Sequence, residues 1–209
     1  MKTDKSEIIV VRDRSGSMSY IKSDMEGALK ELIKEQSRLD GECLFSLFDF
    51  DDRFDTVYDA VDINKIKHVE LIPRGMTALL DAVGKTINSV GERLAKTKEE
   101  DRPKVVIVAV ITDGQENSSK EFSREKIQSL IKEQEEKYNW KFMFLGANID
   151  AVAVGQSFGF APTSSMTYNA SPLGTTGMMS GINYAVSYAR STNMAYCFSD
   201  EDRSNALAS

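Results

Sequence analysis

The chain has 209 residues, of which 41% are hydrophobic and 28% charged, enough apolar content for a sizeable core and for one domain rather than two. Its net charge of -6 argues against general nucleic-acid binding, which depends on Lys and Arg neutralising phosphates. No apolar run approaches the roughly 18 to 20 residues of a membrane span, and the start MKTDKSE lacks the apolar segment of a secretory signal, so a cytoplasmic protein without membrane contact is expected.

Apolar runs alternate with amphipathic stretches along the chain, an order that implies a largely parallel sheet covered by helices on both faces. The first strand is read over residues 7–11. Met25, Ala28, Leu29, Leu32 and Ile33 recur at three- and four-residue steps, so a helix follows, capped by Ser23 or Asp24 and stopped near Gly41. CLFSLFDF (43–50) reads as a second strand and 56–61 as a third; the short acidic turn between them suits only an antiparallel hairpin, placed at the sheet edge. A short helix is expected near 63–69. Pro73 and Gly75 break the chain before Leu79, Leu80, Val83, Ile87 and Val90 resume helical spacing, with Thr77 at that helix's entrance.

KVVIVAVITDG is the most continuous apolar run and fits a central strand buried on both faces, ending at Thr112-Asp113-Gly114. A helix over 123–138, a strand in WKFMFLGAN, a short helix over 152–158, a strand over 163–168 and a helix over 177–190 complete the domain, residues 1–190. Residues 191–209 form a polar extension, partly docked or flexible, in which Ser199 opens a capped turn and NALAS is expected to be loose. Cys43 and Cys197 lack the close spacing of a zinc or redox pair and are expected to be buried free thiols.

In an open parallel sheet, ligands bind beyond the carboxyl ends of the strands, where the strand order reverses. Three groups of hard oxygen donors map there: Asp13, Ser15 and Ser17 after the first strand, Thr77 at a helix entrance, and Asp113 after the central strand. Two carboxylates and several neutral hydroxyls suit a hard cation such as Mg2+ while leaving its shell incomplete, so that a partner's carboxylate can complete it.

The pattern D-x-S-x-S after a first strand, a threonine in a Gly-containing loop and T-D-G after a central strand resembles the von Willebrand factor A (vWA) domain and its metal-ion-dependent adhesion site, over about residues 6–190. The resemblance implies a doubly wound, mostly parallel α/β sheet with one antiparallel edge strand, a Rossmann-like arrangement. It implies Mg2+ or Mn2+ at Asp13, Ser15, Ser17, Thr77 and Asp113, with the hydroxyls coordinating directly and the two aspartates largely through water. It further implies a non-enzymatic binding module that grips an Asp or Glu of a protein partner, in an intracellular bacterial or phage-type stand-alone protein, with an ATPase or a larger complex as partner. This chain departs from the family in having Met76 where a glycine usually precedes the threonine, and Arg12 where an aliphatic residue is usual. Arg12, Arg14 and Arg74 are read either as solvated loop residues or as positive potential for an acidic partner.

Two other readings follow from the residues. The metal site can be vestigial, leaving a scaffold, and self-association arises if an acid between Asp49 and Asp55 completes the metal of another copy. Asp49-Phe50-Asp51 partly resembles the nucleophile motif of haloacid-dehalogenase-type phosphotransferases, although Arg53 stands where that motif has Thr or Val. The stretch FDFDDRFD is otherwise read as a solvated hairpin tip, which faces the metal side if the second strand runs parallel to the first. His68, the only histidine, has no evident acid-base partner.

Overall fold

The computed structural model describes residues 4–209. Its strands are β1 (Ser6–Asp13), β2 (Cys43–Phe50), β3 (Phe54–Asp62), β4 (Val105–Thr112), β5 (Lys141–Ala147) and β6 (Ser165–Tyr168), joined in the order β3-β2-β1-β4-β5-β6. Every neighbouring pair is parallel except β2 with β3, the antiparallel edge hairpin. The helices are α1 (Lys22–Ser37), α2 (Leu79–Lys96), α3 (Arg124–Tyr138), α4 (Ala151–Ser157), α5 (Pro172–Thr192) and α6 (Asp200–Ala206). Among the described residues no helix is long and apolar enough to cross a membrane.

The central strands β1 and β4 are buried at every position because both faces of the sheet are covered. Ile8 and Val10 of β1 join Ile107, Ala109 and Ile111 of β4 in one core with Met25, Leu29, Met178 and Ile182 from α1 and α5. The alternate residues Ile9, Val11, Val106, Val108 and Val110 join Leu79, Val83, Ile87, Ile127 and Ile131 from α2 and α3 in the other. The two-residue period of a strand sends successive side chains to opposite cores.

Local signals account for several helix ends. Ser123 accepts from the Lys126 N–H at the start of α3, and Ser171 accepts from the Gly174 N–H at the start of α5, with Pro172 in the first turn. Asn139 and Asn193 close those two helices in the left-handed conformation.

The structure departs from the sequence expectations at five places. The helix expected near 63–69 is a single 3-10 turn, Ile63–Lys65, followed by irregular chain to Ala78, because Val69 and Leu71 are drawn into the core as isolated anchors. Neither Ser23 nor Asp24 caps α1, since a 3-10 helix over Gly16–Ile21 leads into it and the cap position falls on Ile21. Helix α5 begins at Pro172 rather than at 177. The C-terminal NALAS is pinned: the Asn169 N–H donates to Ala206 O (2.9 Å), Ser171 Oγ donates to Ala208 O (2.9 Å), and Ala206 is buried. A β-carbon at Gly177 would lie 2.2 Å from Asn205 O, so the glycine in α5 admits the backbone of the C-terminal segment. Finally, Cys43 is buried but Cys197 is exposed.

Candidate metal centre

The strand order reverses between β1, whose chain continues into β2 on one side, and β4, on its other side. Asp13 ends β1 and Asp113 follows β4, so the two carboxylates face the crevice that this reversal opens. The register sets Arg12 of β1 beside Ile111 of β4, which brings the last residues of both strands to the same height.

Asp13 is fully buried, and both its oxygens are held. Its Oδ1 accepts from the Ser15 N–H (2.7 Å), and its Oδ2 accepts from the Thr112 hydroxyl (2.6 Å). Ser17 Oγ donates to Asp113 Oδ1 (2.8 Å); Ser15 Oγ lies 3.1 Å from Ser17 Oγ and 3.5 Å from the same Asp113 oxygen. A β-carbon built on Gly114 would come within 3.0 Å of Thr77 Oγ1 and 3.7 Å of Asp13 Oδ2, which places the threonine hydroxyl on the same small space. Asp13, Ser15, Ser17, Thr77 and Asp113 thus converge from three segments distant in sequence.

This donor set fits a hard divalent cation. Burial pushes the Asp13 carboxyl up to about 6 despite the hydrogen bonds from Thr112 and Ser15, and the neighbouring Asp113 adds to the rise. Burial also raises Asp113, against the hydrogen bonds from Ser17 and Ser15. Among the described residues neither carboxylate is ion-paired with Lys or Arg; their hydrogen bonds come from Ser15, Ser17 and Thr112. The described residues contain no group of three or more His, Cys, Asp and Glu side chains that could hold a metal, and the donors here are two carboxylates plus neutral hydroxyls. Hard cations that take oxygen ligands match that chemistry.

The acidic hairpin next to the site is organised differently. Arg12 is fully buried, and its Nε and Nη2 donate to Asp49 Oδ1 and Oδ2, each at 2.9 Å, while Nη1 and Nη2 donate to the carbonyls of Val69 and Glu70, also at 2.9 Å. Arg14 Nε donates to Asp51 Oδ2 (3.0 Å) and its Nη2 pairs with Asp55 (2.7 Å); Arg74 Nε donates to the same Asp51 oxygen (2.7 Å). Burial opposes ionisation of Asp51, yet the hydrogen bonds from Arg74, the Arg53 backbone and Arg14 hold its carboxyl below the usual range. Arg12 and Arg14 are therefore buried on the acids of the hairpin rather than solvated, while Arg74 is an exposed loop residue that pairs with Asp51 and Asp55. The hairpin is solvated only at its turn: Asp49 and Asp51 are buried, whereas Asp52, Arg53 and Asp55 are exposed. It does lie on the metal side, because β2 runs parallel to β1.

The network joins the segments that carry the donors. The Arg14 N–H donates to Phe50 O, the Arg74 N–H to Arg14 O (2.7 Å), the Gly16 N–H to Gly75 O (3.3 Å) and the Ala78 N–H to Asp51 O (2.9 Å). A second set of contacts reaches Thr77 from the loop after β4. Ala78, at the cap position of α2, offers no side-chain cap; instead Asn117 Oδ1 accepts from the Thr77 N–H (3.0 Å), Glu116 Oε2 from the Leu80 N–H (2.9 Å) and Ser119 Oγ from the Asp81 N–H (3.1 Å). In return the Asp81 carboxylate accepts from the N–H groups of Lys120, Glu121 and Phe122. The loop that carries Asp113 thereby caps the helix that Thr77 enters.

Asp49, with both oxygens on Arg12 and only 4% exposed, presents no free oxygen for nucleophilic attack. His68 is exposed and away from these donors in sequence, its N–H donating to the Tyr58 hydroxyl. Thr112, Asn117 and Glu116 were not singled out as site residues from the sequence; the T-D-G run includes the first, and nothing local marks the other two.

No known protein-family profile matches the sequence, and no curated protein matches it. Comparison of folds gives a consistent class. Proximal thread matrix protein 1 of the mussel byssus shares 20% identity with a TM-score of 0.59, covering 93% of this chain and 47% of that one. A second structure of the same protein, described as having a zinc-occupied metal-ion-dependent adhesion site, gives 20% identity and a TM-score of 0.60, covering 87% and 46%. A von Willebrand factor type A protein from Catenulispora acidiphila shares 13% identity with a TM-score of 0.59, covering 87% of this chain and 42% of its own. The chain has the vWA fold. It spans less than half the length of these neighbours.

Proposed function

We propose that the chain is a metal-dependent protein-binding module. Ser15, Ser17 and Thr77 would hold Mg2+ or Mn2+ through their hydroxyls, with Asp13 and Asp113 supplying the negative charge; the bound ion offers an electrophilic position for an Asp or Glu of a protein partner. The observation that carries this reading is the convergence of one buried and one half-buried carboxylate, neither ion-paired with Lys or Arg among the described residues, and three hydroxyls at the β1/β4 reversal. The zinc described for the adhesion site of the mussel protein supports a divalent ion in this fold.

The cytoplasmic, bacterial or phage-type setting and an ATPase or larger complex as partner are carried as part of the proposal. Self-association through Asp49 or Asp51 is disfavoured, because both are buried on arginines, whereas Asp52 at the hairpin turn is exposed. The Arg12 clamp on Asp49 likewise argues against the phosphotransferase reading and for a non-enzymatic module. Affinity capture from the native host with Mg2+, with EDTA and with Asp13→Ala in parallel tests the reading. Capture in Mg2+ alone supports it; the same partner retained under all three conditions contradicts it.

A further inference from the structure

The rim of the site carries a chemical preference of its own. Gly16–Ile21 is a 3-10 helix, in which side chains three residues apart stack. Met18 and Ile21 take the buried side, and Ser17 and Tyr20 the exposed one. Tyr20, 90% exposed, therefore stands on the side of this helix that presents the Ser17 hydroxyl. Met76, 53% exposed, is the neighbour of Thr77, and Ile72, 61% exposed, lies on the same segment. That segment is tied to the first at two points: the Gly16 N–H donates to Gly75 O (3.3 Å), and Lys22 Nζ donates to Leu71 O (2.6 Å). Three large exposed apolar side chains thus lie on the two cross-linked segments that carry Ser17 and Thr77. Such residues need no explanation singly, but three of them on segments that carry a binding site mark an interaction surface.

Charge decides what this surface fits. Arg12, Arg14 and Arg74 are already paired with Asp49, Asp51 and Asp55, and Lys22 lies near Glu26 (3.3 Å) and Glu70 (3.7 Å). At the hairpin turn Arg53 and Asp52 are both exposed. Residues 16–21 and 72–77 carry no Lys or Arg besides Arg74, so the rim has no basic stripe to receive a run of acids.

Resting on the binding-module reading above, we propose that the partner segment taken here carries one Asp or Glu flanked by apolar side chains, its carboxylate directed to the metal site and its flanks to Tyr20, Ile72 and Met76. Acid-rich segments are disfavoured because every added carboxylate loses water without gaining a cation.

A random linear peptide library displayed on phage, panned on the immobilised full chain in Mg2+ and eluted with EDTA, tests this. The expected eluate is enriched in single acids with apolar neighbours. The double variant Tyr20→Ser/Met76→Ser, at exposed positions, is expected to keep Mn2+ binding by calorimetry while recovering about tenfold fewer such clones. Tyr138→Ser, also exposed but on α3, is expected to recover as many as the native chain. Eluted runs of acids without apolar neighbours, or recovery unchanged in the double variant, would overturn the rim assignment and leave the metal reading standing. Mn2+ binding without any EDTA-eluted clone would overturn both the rim assignment and the partner reading, and absence of Mn2+ binding would overturn the metal site itself.

Discussion

Arg14 and Asp51 are joined by a hydrogen bond of 3.0 Å from Nε to Oδ2, and each lies one step from a different part of the candidate site. Arg14 sits between Asp13 and Ser15, while Asp51 receives the Ala78 N–H, next to Thr77, on its carbonyl. The pair is a strut between two donor segments, and Arg74 closes it from the second of them.

Removing one partner of a buried pair leaves the other charge uncompensated, whereas an exposed partner can return to water. Asp51→Ala is therefore expected to cost about 3 kcal/mol in urea denaturation, and Arg74→Ala, whose side chain is 46% exposed, clearly less. Equal losses for the two variants would show that the strut does not depend on the Arg14–Asp51 contact.

Asp13 titrates in the opposite sense to a paired acid. With a folded value of about 6 against an ordinary 3.8, it binds more protons in the folded than in the unfolded state between those values. Its contribution to stability thus falls as pH rises through the window, and the cost is complete above pH 6. Without divalent cation, Asp13→Asn is expected to be more stable than the native chain above that window, by on the order of 2 kcal/mol, with the gap closing on acidification. Saturating Mg2+ reverses the order, since an ion bound to the folded native chain stabilises it by mass action. Thermal or urea unfolding across pH, with Mg2+ or EDTA, measures both; a gap constant with pH would remove Asp13 as its cause.

Glu116 accepts from the N–H groups of Leu80, Ser118 and Ser119, and from the Ser119 hydroxyl. Glu116→Ala is expected to cost about 1 to 2 kcal/mol, the loss of a helix cap plus unsatisfied N–H groups. Because the same loop holds the Thr77 backbone, Mn2+ affinity should fall with it. A stability loss without any change in affinity would show that the loop braces the helix but not the donor.

The order of strands and helices was legible because apolar runs and helical spacings are local, and Ser123 ends its loop with the residue type a helix start requires. The convergence of the five proposed donors was legible because each lies at or near a strand or helix end, where the topology itself brings them to one edge. Arg12 was not, since an arginine at a strand end reads as surface until the parallel register Arg12 to Asp49 is known. One signal was available: Arg12-Asp13-Arg14 and Asp49-Phe50-Asp51 place opposite charges at matching alternate positions of strands that turn out to be neighbours. The cap of α2 left no local trace, because Glu116, Asn117 and Ser119 act across 36 to 40 residues. The docking of α6 was hidden for a similar reason: Arg203 donates to the carbonyls of Ser165 and Pro162, and the Asn169 N–H donates to Ala206 O where glycines in α5 admit the chain.

Calorimetric titration of Mg2+ and Mn2+ into the full chain and into Thr77→Ala and Asp113→Ala tests the central claim most directly. A single ion is expected to bind the native chain, with affinity at least about tenfold lower in each variant. Absence of binding to the native chain, or equal affinity in all three, would contradict the metal centre proposed at the β1/β4 reversal.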